Sequence, residues 1–169
     1  MVIVLRIVHI LGGVFWVGSV VFASMLLTPA LKAAGPAAGP VMNQLIKVRK
    51  MPIYMMAAGL ATMGAGIWLL LIDSAMQPGV WMQSGTGMTF SIGGAPAILA
   101  FLVGMAVNMP TSKRLAALGS AAAARGGPPT PEEGAELQRL QGRMATANQI
   151  VMVLLLLATA AMAVARYIQ

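Results

Sequence analysis

The sequence predicts an all-α fold, an integral membrane four-helix bundle with a long fourth helix protruding into the cytoplasm. Three observations predict it. Of 169 residues 59% are hydrophobic and only 9% charged, with a mean hydropathy of +0.83, well above what a water-soluble domain of this length shows. Four apolar runs are long enough to cross a hydrocarbon core of about 30 Å at about 1.5 Å per residue. A helix-start signal, Thr130-Pro131-Glu132-Glu133, stands well ahead of the fourth run.

The first run, residues 2–27, is interrupted only by Arg6 and His9 and ends at Thr28-Pro29. A cleaved signal peptide is the rival reading. The run lacks a basic residue ahead of its apolar core and exceeds the usual h-region of about 7–15 residues, which makes it a retained span. The second, 53–72, opens after Pro52 and closes at Asp73, Pro being tolerated in a first helical turn. The third, 88–109, stops before Pro110 and holds Pro96, where a kink is expected, beside Gly93 and Gly94, which let a neighbour approach. The fourth is 150–168. If its helix is unbroken from Pro131 to Arg166 it is about 54 Å long, so roughly its first four turns stand outside the bilayer. Leu137, Leu140 and Met144 make an apolar stripe there, with Glu136 and Arg139 paired on the wet face. Ala121 to Pro129 reads as a flexible connection, and Leu31 to Ile46 as a weak surface helix at most. No internal repeat is visible beyond a loose likeness of two hairpins.

Lys and Arg gather in the loops 28–52 and 110–149, whereas Ser74 to Gly87 has none, so both termini are expected on the non-cytoplasmic side. Trp68, Trp81, Phe90 and Tyr167 then mark the outer interface and Tyr54 the inner one. The net charge of +7 is laid out to meet lipid headgroups of the bilayer, and no nucleic acid partner is expected. The basic Lys47 to Lys50 segment is chiefly a topology signal, with anionic lipid binding as an addition. There is no cysteine, which excludes disulfides, iron–sulfur clusters and thiolate zinc sites within the chain.

His9 is the single histidine, and an ionisable side chain within a span is a functional hypothesis by default. Arg6, Gly13 and Trp16 share its helical face. His9 can ligate haem iron or copper, or relay protons; equally, it can hydrogen-bond a backbone carbonyl or a polar group of another helix while Arg6 snorkels outward. Met51, Met55, Met56 and Met63 suit Cu(I), though methionine is also an ordinary gap-filler. Gly59, Gly64 and Gly66, with Gly12, Gly13 and Gly18, are small-residue faces for close helix packing. Asp73, Asn108, Asn148 and Gln149 fall near span ends as solvated caps, and no carboxylate lies deep in a span, which argues against a proton-coupled transporter. No phosphate loop, nucleophile elbow or catalytic carboxylate pair is present.

The text His9-Ile10-Leu11-Gly12-Gly13-Val14-Phe15-Trp16-Val17-Gly18 resembles the first-helix pattern of a group of bacterial membrane proteins. The group comprises the CopD-type copper-resistance domain, related four-helix families and the HemJ-type protoporphyrinogen oxidases. Arg49-Lys50-Met51-Pro52 leading into Gly64-Ala65-Gly66-Ile67-Trp68-Leu69-Leu70 is similar to the second helix of the HemJ type. The resemblance implies a four-helix bundle in the bacterial inner (cytoplasmic) membrane, both termini periplasmic, with His9 the ligand of haem b. The HemJ type carries a lysine and a further histidine in its third helix, where this chain has Gly93-Gly94-Ala95-Pro96-Ala97. A haem held by two histidines then needs a second copy or another subunit. Two functions follow. One is an accessory or scaffold subunit, not an enzyme, packing on other membrane subunits or as a homo-oligomer. The other is a haem b (or copper) redox protein, a HemJ-like oxidoreductase, with His9 as axial ligand, Gly13 and Trp16 shaping the pocket and Arg6 at a propionate.

Overall fold

A chain segment surrounded by hydrocarbon must satisfy its backbone N–H and C=O groups within itself, and each apolar run is accordingly helical. The computed structural model of the chain describes residues 1–76 and 79–168, apart from the side chains of Pro36 and Arg166. Gln77 and Pro78, within the expected outer loop, lie outside the described residues. Four helices are long and apolar enough to cross a membrane: α1 (Val2–Ala34), α2 (Met51–Met76), α3 (Gly85–Arg125) and α4 (Pro131–Val164). Among the described residues there is no strand. The chain is a multi-pass membrane protein, and its exposed apolar side chains, Ile7, Leu11, Leu60, Leu102 and Leu157 among them, form the surface that lipid covers.

Three expected boundaries are corrected. α1 does not end at Thr28-Pro29 but runs on to Ala34, and α3 does not stop before Pro110 but runs on to Arg125. The reason is the same in both. A proline ring collides with the carbonyl one α-turn back and supplies no N–H, and each helix widens just before it. Ala23–Leu27 and Gly104–Asn108 are wide turns, in which Thr28 N–H reaches Ala23 O and Met109 N–H reaches Gly104 O. A turn with i→i+5 bonding spaces the carbonyls so that the ring fits. The third correction follows: Ala121–Pro129 is helical up to Arg125, and Gly126, in the left-handed conformation at φ 67°, ends the helix. The segment from Ala38 to Val48 is helical too, as a short α-turn and a third wide turn. Lys50, at φ 53°, then turns the chain into α2.

α4 starts as expected. Thr130 accepts from Glu133 N–H, Glu133 in turn accepts from Thr130 N–H at 3.0 Å, and the helix is unbroken to Val164. It does not protrude alone, since the far part of α3 packs along it, and Thr111 and Ala122 of α3 and Leu140 of α4 are buried. Glu136 meets Arg139 at 2.7 Å, and Arg125 pairs with Glu133 across the connection.

α1 lies along α2 and α3 along α4; the two hairpins join through α1 against α4 and α2 against α3. Trp16, Val20, Ala100, Val151 and Leu155 form the core, with Trp16 edge-on to Phe101 at 6.0 Å. The first helices of the two hairpins, α1 and α3, share a register, a closer relation than the loose likeness read from sequence. Gly93 follows Gly12 by 81 positions, Gly94 follows Gly13 by 81, and the same interval separates the wide turns, Pro110 from Pro29 and Lys113 from Lys32. The contacts repeat as well. A Cβ on Gly12 would stand 2.6 Å from Thr62 Oγ1 on α2, and one on Gly93 2.7 Å from Ala161 Cβ on α4.

Candidate functional site

α1 and α2 run antiparallel, so residues ascending one meet residues descending the other. Three rungs make the seam. His9 lies against Gly66, Gly12 against Thr62, and Trp16 against Gly59. Each rung pairs a bulky or polar group with a glycine, the arrangement by which membrane helices approach in the absence of a hydrophobic drive between them.

His9 Nδ1 is 2.8 Å from the backbone oxygen of Thr62. A carbonyl can only accept, so Nδ1–H donates, and in the neutral ring Nε2 is then the nitrogen with the lone pair. Gly66 makes the fit possible: a Cβ there would stand 2.7 Å from His9 Cε1 and 2.8 Å from Nδ1. The imidazole is half-buried, whereas Arg6, one turn earlier, is exposed. Gly13 lies 3.5 Å, measured from a built Cβ, from Thr62 Cγ2. Trp16, 7% exposed, is wedged between Gly59 and Phe101. Of the predicted stripe, His9, Gly13 and Trp16 thus come together on the seam with α2, and Arg6 stands outside it.

The His9 partners Thr62 and Gly66 complete the arrangement. Gly66 was legible as one of several small residues; Thr62 offers its backbone, which no side-chain pattern announces. Thr62 Oγ1 is buried without a hydrogen-bond partner, facing Gly12.

Fit to a haem can be judged from this donor set. His9 offers one axial nitrogen, Nε2, oriented by a backbone carbonyl as ligating histidines commonly are. Among the described residues no group of three or more His, Cys, Asp or Glu gathers to hold a metal, and Trp16 fills the core instead of lining an opening. The methionines divide: Met55 and Met63 pack on the core and Met56 is 39% exposed, so they do not converge. Gly18 and Gly64 have nothing within 4 Å of a built Cβ, so they are not the close-packing positions expected of them.

At the basic end of the bundle two of the expected solvated caps, Asn108 and Asn148, are corrected as well. Asn108 Nδ2 donates to Asn148 Oδ1 at 2.8 Å between α3 and α4, and Asn108 Oδ1 is buried without a partner. Beyond the spans, the Arg125 hydrogen bond, with the Thr130 N–H, holds the Glu133 carboxyl below its ordinary value. Arg139 does the same for Glu136. At the other end Trp81 stacks on Phe90, centroids 6.5 Å apart, and Thr86 Oγ1 donates to Ile168 O at 2.9 Å, tying α3 to the C-terminal segment.

Comparison with protein-family models, with curated proteins and with solved structures finds no match to this chain.

Proposed function

We propose that the chain is a non-catalytic accessory or scaffold subunit of the bacterial inner membrane, its termini periplasmic, packing in a larger membrane complex or with further copies of itself. The observation that carries this reading is the use made of the one imidazole: His9 closes the α1/α2 seam through Thr62 O at 2.8 Å. The residues resembling a cofactor motif thus serve helix association. The paired ends of α3 and α4 support it further, since they extend beyond the apolar spans and carry exposed Lys113, Arg114 and Arg143 for a partner to engage. The orientation rests on the Lys and Arg distribution. Gentle solubilisation and native mass spectrometry test the proposal. A particle containing a second subunit or a second copy is expected; a monomer of 17.5 kDa at every protein concentration, with no co-purifying subunit, overturns it.

One observation favours a second reading, haem b (or copper) binding in a HemJ-like redox protein. His9 keeps Nε2 free while Nδ1–H is oriented by a carbonyl, as in ligating histidines. Haem would supply one-electron chemistry, and His9 would be the residue of this chain that holds it. The oxidised and dithionite-reduced visible spectrum of the purified protein decides. A Soret band lost in His9→Ala establishes this reading, and a colourless folded protein removes it.

A further inference from the structure

Beside the wide turn of α1, between it and α4, lies a cleft of about 250 Å³, with Ser24, Thr28 and Lys32 on one wall and Asn148 and Gln149 on the other. Its lining has one cation, two hydroxyls and two amides, and no carboxylate. Asn148 Oδ1 is already engaged by Asn108, so what Asn148 has left to offer is its amide N–H groups. Ser24 Oγ is buried without a hydrogen-bond partner, a donor in want of an acceptor. The cleft stands where the apolar run of α1 gives out and Lys32 begins the basic segment, which is the level of lipid headgroups.

Donors converging beside an ammonium, with no competing carboxylate, select an oxyanion. We propose that this cleft binds a phosphate group, presented by an anionic phospholipid headgroup or free in solution. The repeat supplies the control. At the corresponding place in α3 the proline and lysine recur as Pro110 and Lys113, but Ser24 and Thr28 are replaced by Met105 and Met109. The second copy therefore keeps the charge and lacks the hydroxyls.

The test is native mass spectrometry of the delipidated full chain titrated with dioleoylphosphatidylglycerol, with and without millimolar inorganic phosphate. Lys32 is exposed, so Lys32→Gln leaves the fold intact. It should weaken lipid retention about tenfold, the order expected for one charge-assisted hydrogen bond. Lys113→Gln, which removes the same charge from the methionine-lined copy, should change it less than twofold. Competition by inorganic phosphate would make free phosphate the ligand, and retention unaffected by it would make the lipid the ligand. Equal losses in the two variants, or none in Lys32→Gln, would overturn the proposal.

Discussion

Gly66 of α2 lies beneath the imidazole of His9, so close that a methyl group on it would reach 2.7 Å from the ring. The neighbour it would strike is a ring pinned by its own hydrogen bond, with no flexible end to swing aside. Gly66→Ala should therefore destabilise the bundle by about 1–3 kcal/mol, as overpacking does. Thermal unfolding in detergent checks this. In a His9→Ala background the same change should cost little or even stabilise, because the obstacle is gone and alanine is the better helix former. Equal costs in both backgrounds would show that His9 is not what Gly66 accommodates.

The equivalent glycines of the two hairpins should respond differently. Gly12→Ala meets a threonine hydroxyl, Thr62 Oγ1, which can rotate, whereas Gly93→Ala meets Ala161 Cβ, which cannot. Gly93→Ala is expected to cost the more, by roughly 1 kcal/mol. Gly18→Ala, with open space around it, is expected to be neutral or mildly stabilising. Melting temperatures of the three variants in one detergent test the order.

The asparagine bridge gives a double-mutant cycle. Asn148→Leu takes from half-buried Asn108 the acceptor of its Nδ2 at 2.8 Å and should cost about 1–3 kcal/mol. Asn108→Leu added to it removes the orphaned amide, so the double variant should recover part of the loss. Additive losses would mean that the two side chains do not interact.

Acid should loosen the connection between α3 and α4. The Glu133 carboxyl is held below the ordinary 4.5 by its bond to Arg125 and by Thr130 N–H. A group whose folded value is depressed stabilises fully above the unfolded value, and that contribution is lost as pH falls through the folded one. Protection of the Gly134 amide, which donates to Thr130 O at 2.8 Å, should accordingly hold above about pH 5 and fall below the ordinary carboxylate range. Glu133→Gln should abolish this dependence. Unchanged protection throughout would separate the ion pair from the order of the turn.

Much of the architecture was legible in the residues. Spans are written as apolar runs because the bilayer leaves the backbone no other solution, and Thr130-Pro131-Glu132-Glu133 announced the start of α4 to the residue. Pro29 and Pro110 misled, because the helix widens just ahead of each and so runs past the ring, and the widening lies in backbone bonding that no side chain spells out. The candidate stripe on α1 was visible from its period. Its partner was not, since His9 seeks a main-chain oxygen, and every residue of α2 has one. The cleft beside Lys32 was beyond reach for a related reason: Asn148 comes to it only through the packing of α4 on α1.

The wide turns have a mechanical consequence. One residue more in a turn advances everything beyond it by about 100° around the helix axis, so the lower parts of α1 and α3 are rotated relative to the parts that pack inside the hydrocarbon. Each helix is thereby divided into two sectors whose facing directions are set independently. Shortening the Ala23–Leu27 turn by one residue would swing Lys32 about a quarter of the way round while leaving His9, Gly12 and Trp16 in place. The same trimming of Gly104–Asn108 would turn Lys113 and Arg114 by that angle and leave Gly93 seated on Ala161.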